Sequence, residues 1–80
     1  MSERILRLPI VKTLSGLSRS SIYLRIREGL FTRSLPLGRR MVGWPESEIA
    51  AINAARIRGE SEEAIRALVA RLEAARKNAA

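Results

Sequence analysis

The sequence predicts a small, mainly α-helical fold in which two short helices meet at a glycine corner, a basic-tipped β-hairpin follows, and a helical extension completes the chain. Three observations predict it. Apolar residues recur at helical spacing on both sides of Gly16; the pattern then shortens into extended runs around Pro36-Leu37-Gly38-Arg39; and helical spacing returns after Pro45. Eighty residues bound this to one small domain with little stability to spare.

In order, residues 4 to 8 read as extended, with Pro9 opening a first helix at its first turn and that helix running to Ser15. Leu8, Val11 and Leu14 fall at i, i+3 and i+6, which predicts one stripe against Leu17, Ile22 and Ile26 and leaves Lys12 outside. Gly16 supplies the corner. The second helix is bracketed by Ser18, whose hydroxyl can cap it, and by Gly29, which can close it in the left-handed region. Ile22 and Ile26, four apart, face the core; at 100° per residue this turns Ser20, Leu24 and Arg27 outward, with Ser21 and Tyr23 flanking. That outer face carries no carboxylate before Glu28.

Phe31-Thr32-Arg33-Ser34-Leu35 and Arg40-Met41-Val42-Gly43-Trp44 predict the two strands of a hairpin, with Gly38 giving a positive φ in the turn. Arg40, Val42 and Trp44 share one face by period-two geometry, so Val42 and Trp44 can bury while Arg39 and Arg40 project from the tip. Pro45 starts a third helix whose Glu46 and Glu48 complement the dipole, and Gly59 ends it near Arg58. Ser61 caps a last helix with Glu62 and Glu63 in its first turn and Arg76 and Lys77 in its last. Ile65, Leu68, Leu72 and Ala75 form its apolar seam, which Ala79 continues if the helix reaches it. The organisation is therefore residues 1–59 as one unit and 60–80 as a C-terminal helix. Residues 61–78 are a candidate homodimerisation element, with folding back on the domain as the competing arrangement.

Charge narrows the function. Residues 1 to 44 hold nine arginines and lysines against two glutamates, whereas residues 45 to 80 hold six of each sign, so the whole net charge of +7 lies on the first half. Thirteen of the fifteen cations are arginine, the side chain suited to bidentate phosphate and guanine contacts. There is no Cys and no His, hence no disulfide, thiolate site or imidazole base, and no nucleophile paired with a base or Gly-rich phosphate loop. No catalytic, cofactor-binding or metal-binding residue is assigned, and the chain is not expected to be an enzyme. Neither a signal peptide nor an apolar run of about 20 residues is present, so a cytoplasmic protein without membrane attachment is expected.

A helix-turn-helix followed by a basic-tipped hairpin is a winged helix-turn-helix, and its partner is double-stranded DNA. Residues 18–28 are the recognition helix for the major groove, and residues 31–44 are the wing for backbone or minor groove. The candidate contacts are Arg19, Ser20, Ser21, Tyr23 and Arg27 on the helix and Arg39 and Arg40 on the wing. Trp44 reads as core rather than as a stacking platform, because it alternates with Val42.

With the wing in place, residues 4 to 58 resemble the AlpA family of phage and prophage regulators, relatives of excisionases and of MerR-type winged helix-turn-helix proteins. The resemblance is carried by Arg7-Leu8-Pro9, Gly16-Leu17-Ser18-Arg19-Ser20-Ser21-Ile22-Tyr23, Glu28-Gly29-x-Phe31, Leu37-Gly38-x-Arg40-x-Val42-x-Trp44 and Glu46-Ser47-Glu48-Ile49. It implies sequence-specific DNA binding that controls transcription of mobile-element genes. Three positions depart from the family pattern: Leu24 stands where a basic residue usually follows the tyrosine, Thr32 replaces a proline after Phe31, and Ile52 replaces an aromatic. Leu24 either touches a thymine methyl or is buried by rotation of the helix. Two other functions stay open: an excisionase-like architectural protein that bends DNA for recombination, and a protein-interaction adaptor that uses the C-terminal helix.

Overall fold

The computed structural model describes residues 3–78. Strand β1 (Ile5–Arg7) leads directly into helices α1 (Leu8–Ser15) and α2 (Arg19–Arg27); strands β2 (Leu35–Gly38) and β3 (Met41–Pro45) form the hairpin; helices α3 (Glu46–Ile57) and α4 (Glu62–Ala75) and a 3₁₀ turn (Arg76–Asn78) follow. This is a small winged helix-turn-helix with a C-terminal helical extension.

The hairpin does not stand alone. β1 adds to it, giving an antiparallel sheet in the order β1-β3-β2, with Leu6 opposite Trp44 and Arg7 opposite Gly43. Trp44 on the central strand is fully buried, Phe31 meets it edge to face with ring centroids 6.3 Å apart, and Val11, Ile22, Ile49 and Ile52 close around the pair. Sheet, corner helices and α3 thus share one core.

Three elements differ from the sequence expectation. On α1, Leu14 is exposed and Ser15 is buried, so the inward line is Leu8, Val11 and Ser15. α3 docks its polar side on the end of α1, where Asn53 donates to the Leu14 carbonyl (2.9 Å) and Arg56 to that of Ser15 (2.8 Å). A small residue at position 15 lets that approach happen. The first hairpin strand starts at Leu35 rather than at Phe31, because Leu30, Phe31 and Thr32 are packed into the core. The backbone at Thr32 and Arg33 is held by side chains instead of a ladder: the Trp44 indole donates to the Thr32 carbonyl (2.9 Å), the Arg33 amide to Glu73 (2.8 Å), and Arg76 to the Arg33 carbonyl (2.6 Å). Finally, Glu48 is not a solvent-side partner of the helix dipole. It is buried and takes a two-point contact from Arg76, at 2.8 and 2.7 Å, a pairing 28 residues apart that raises the already high pKa of the guanidinium.

The start of α3 is capped across the fold. Pro45 offers no capping side chain, and Glu3 takes the Ser47 amide (3.1 Å) and hydroxyl (2.6 Å) instead. α4 folds back on the same core, burying Ile65 and Val69 with Leu68 and Leu72 half-buried beside them. Of the expected seam, Ala75 is exposed and Ala79 lies outside the described residues. Ile65, Leu68 and Leu72 are therefore occupied within the chain.

Two substitutions test this packing. Gly43 sits where a Cβ would lie 2.6 Å from Ile5 Cγ2, 2.8 Å from Leu37 Cδ1 and 3.1 Å from the Leu6 carbonyl. Gly43→Ala is expected to cost about 1–3 kcal/mol in thermal or urea unfolding through overpacking. Ile65→Ala is expected to cost about 2–3 kcal/mol if α4 belongs to the folding unit, and close to nothing if it does not.

Candidate nucleic-acid interface

Gly16 places α2. Its φ of 72° turns the chain between α1 and α2, and its amide bonds the Lys12 carbonyl at 2.9 Å. Ser18 then opens α2 as expected, its hydroxyl accepting the Ser21 amide at 3.2 Å. Fully buried Ile22 and half-buried Ile26 anchor the inner face, leaving Ser20, Leu24 and Arg27 exposed. The far end closes through Gly29, where the Leu30 amide reaches back to the Arg25 carbonyl (2.8 Å). α4 adds a charge there: Arg66 Nε donates to the Glu28 carbonyl at 2.8 Å, a cation at the negative end of the helix dipole. Both helices of the corner are thus held at their C-terminal ends by arginines from the scaffold, Arg56 on α1 and Arg66 on α2.

Between α2 and the hairpin lies a groove lined by Arg7, Leu8, Pro9, Arg19, Tyr23, Arg40 and Val42. Three arginines and no carboxylate line it. The Arg19 guanidinium lies 5.8 Å from the centroid of the Tyr23 ring, which steadies both side chains. On its other side Tyr23 borders a second shallow concavity with Ser20, Leu24, Ile26 and Arg27, so helix and wing present one continuous surface hinged on the tyrosine.

Of the seven residues expected to touch DNA, Arg19, Ser20, Tyr23, Arg27 and Arg40 are brought together there. Arg39 projects from the hairpin tip outside both concavities, and Ser21 is half-buried, its hydroxyl accepting from Ser18 at 3.0 Å. Arg7 is the groove residue that sequence reasoning misses. The alternation of exposed Ile5, buried Leu6 and exposed Arg7 carries the signal, because strand pairing with Gly43 sets Arg7 beside the wing.

Among the described residues, Arg7, Lys12, Arg19, Arg25, Arg27, Arg39 and Arg40 have no carboxylate within 4 Å. Arg4 and Arg33 of the first half do pair, with Glu46 and Glu73. In the second half Arg58 pairs with Glu60, Arg66 with Glu62 and Arg76 with Glu48, while among the described residues Arg56, Arg71 and Lys77 have no carboxylate within 4 Å. No group of residues able to hold a metal ion is found among the described residues. No helix there is long and apolar enough to cross a membrane.

The family described as Prophage CP4-57 regulatory protein (AlpA) matches residues 4–56, which span β1 through nearly all of α3. The chain belongs to the AlpA family. It is also similar to an uncharacterized protein, ORF88, of Enterobacteria phage P4, with 51% identity over 57 residues, 71% of this chain and 65% of that protein. The matched region thus spans less than two thirds of that relative. No solved structure matches. The AlpA match ends within α3, so α4 lies outside the family region, although Arg66, Glu73 and Arg76 contact Glu28 and Arg33 within it.

The wing turn yields a prediction. Arg40 adopts φ 56°, a left-handed conformation that costs a non-glycine residue about 1 kcal/mol. Arg40→Gly is expected to stabilise the fold by about that amount in thermal unfolding while weakening any ligand that uses the cation. A drop in stability would show that the strain at position 40 is smaller than the unfolded-state entropy that a glycine adds.

Proposed function

We propose that this AlpA-family chain is a sequence-specific, DNA-binding transcriptional regulator of the phage or mobile-element type, with no enzymatic role. α2 enters the major groove of double-stranded DNA, and the β2–β3 hairpin lies on the adjoining backbone or minor groove. One observation carries this reading: cations without carboxylate partners surround α2 and the wing, while Arg56, Arg58, Arg66 and Arg76 of the second half are engaged in ion pairs and helix caps. Among the described residues, seven cations of the first half are left without a carboxylate and most of them lie on α2 and the wing, whereas the second half leaves only Arg71 and Lys77 without an ion pair or hydrogen bond. A polyanion supplies the missing partners.

The roles divide by position. Arg7, Arg19 and Arg40 line the groove at the edge of α2, where a phosphodiester backbone passing between helix and wing meets all three. Ser20 and Arg27 stand on the exposed centre of the helix, the part that reaches base edges. Arg39 adds a phosphate contact at the tip.

Gel-shift or anisotropy titration across a salt series tests the electrostatic share. With Arg7, Arg19, Arg39 and Arg40 on phosphates, log affinity is expected to fall with log salt at a slope of about −3.5 per bound chain, steeper by about one if Arg27 also meets a phosphate, and an affinity flat in salt overturns the reading. Helix and wing are expected to fail differently. Arg27→Ala weakens a preferred duplex more than a random one, whereas Arg39→Ala with Arg40→Ala weakens both by similar factors and flattens the slope.

A further inference from the structure

Leu24 occupies the centre of the outward face of α2, with Ser20 one turn before it and Arg27 nearly one turn after. It is 47% exposed, while Ile22, close to the opposite side of the helix, is fully buried. The helix is therefore not rotated to hide the leucine. Nor does Leu24 belong to an apolar sheet of surface: exposed Ser20 and Arg27 share its concavity, with only the half-buried Tyr23 and Ile26 beside them. An exposed aliphatic side chain set between a hydroxyl and an arginine without a carboxylate partner, with only half-buried Tyr23 and Ile26 beside it, is a small apolar spot on a cationic face, suited to an anionic ligand that itself offers one apolar group.

The major groove of DNA offers one such spot. Its base edges present ring nitrogens, carbonyl oxygens and amino groups, all hydrated, and a single apolar group, the 5-methyl of thymine. Pressing a leucine against a polar edge strips water from it and returns no hydrogen bond, which penalises every base pair except one that presents a methyl. We propose that Leu24 is a specificity-determining residue that selects a thymine in the bound site through its 5-methyl group. This rests on the DNA-binding reading above and deepens it. The arginines hold the duplex, and Leu24 reads one position by apolar contact.

The test uses the full chain and a duplex that it selects from a random pool. Each thymidine of that duplex is replaced in turn by deoxyuridine, which lacks only the methyl, and affinities are compared for the wild type and for Leu24→Ala. The expected result is one position at which the wild type loses about fourfold, the equivalent of one buried methyl, and at which Leu24→Ala binds the two duplexes equally. Exposure at position 24 predicts an unchanged melting temperature for Leu24→Ala, so folding does not confound the comparison. A selected duplex indifferent to every deoxyuridine, or a penalty that persists in Leu24→Ala, overturns this inference and leaves DNA binding standing. Selection of no duplex at all overturns both.

Discussion

The burial of Trp44 is the constraint on which the rest of the molecule depends. A chain of this size has one small core, and the indole is the largest side chain in it. Its position on the central strand makes it face Leu6 across one ladder, Phe31 along the edge of its ring, and the inner sides of α2 and α3. Its N–H cannot be buried unpaired, and the carbonyl that receives it belongs to Thr32, in the irregular segment between α2 and the hairpin. A single side chain thus fixes how far the wing stands from α2. The groove with its three arginines exists at that separation.

Charge is divided between two tasks. In the second half of the chain, three arginines hold the fold together: Arg56 and Arg66 close the ends of α1 and α2, and Arg76 clamps buried Glu48 to the loop carbonyl of Arg33. A buried ion pair is costly to assemble, and here the two-point geometry and a third hydrogen bond offset that cost. Around α2 and the wing the same residue type is left without carboxylate partners. The neutrality of residues 45–80 and the excess on residues 1–44 express this division in the sequence itself.

Most of the fold is legible in the sequence wherever local rules decide it. Ser18 and Gly29 bracket α2, Ser61 caps α4, and Gly38 and the basic tip mark the wing, because each signal acts over four residues or fewer. What is not legible lies at long range. Nothing near Glu48 reveals that its partner is Arg76, nothing near Pro45 indicates that Glu3 will cap α3, and the period of α1 favours Leu14 although α3 docks on Ser15. The strand expected from Phe31 fails for a related reason: β-propensity there is overridden by burial against Trp44. The interface follows the same division, its helix residues being readable from 100° spacing, whereas Arg7 joins it only through the register of β1 with β3.

The scaffold grips the two helices of the corner through backbone atoms. Asn53 and Arg56 hold the Leu14 and Ser15 carbonyls, and Arg66 holds that of Glu28. Main-chain oxygens are the same whatever side chain a codon specifies. The outward positions 20, 24 and 27 can therefore be rewritten without loosening the mount that presents them, and under the proposed DNA-binding role a lineage in which operators drift can follow by mutation at these few sites. An address label on a frame of this kind is replaceable, and stability and vocabulary can evolve separately.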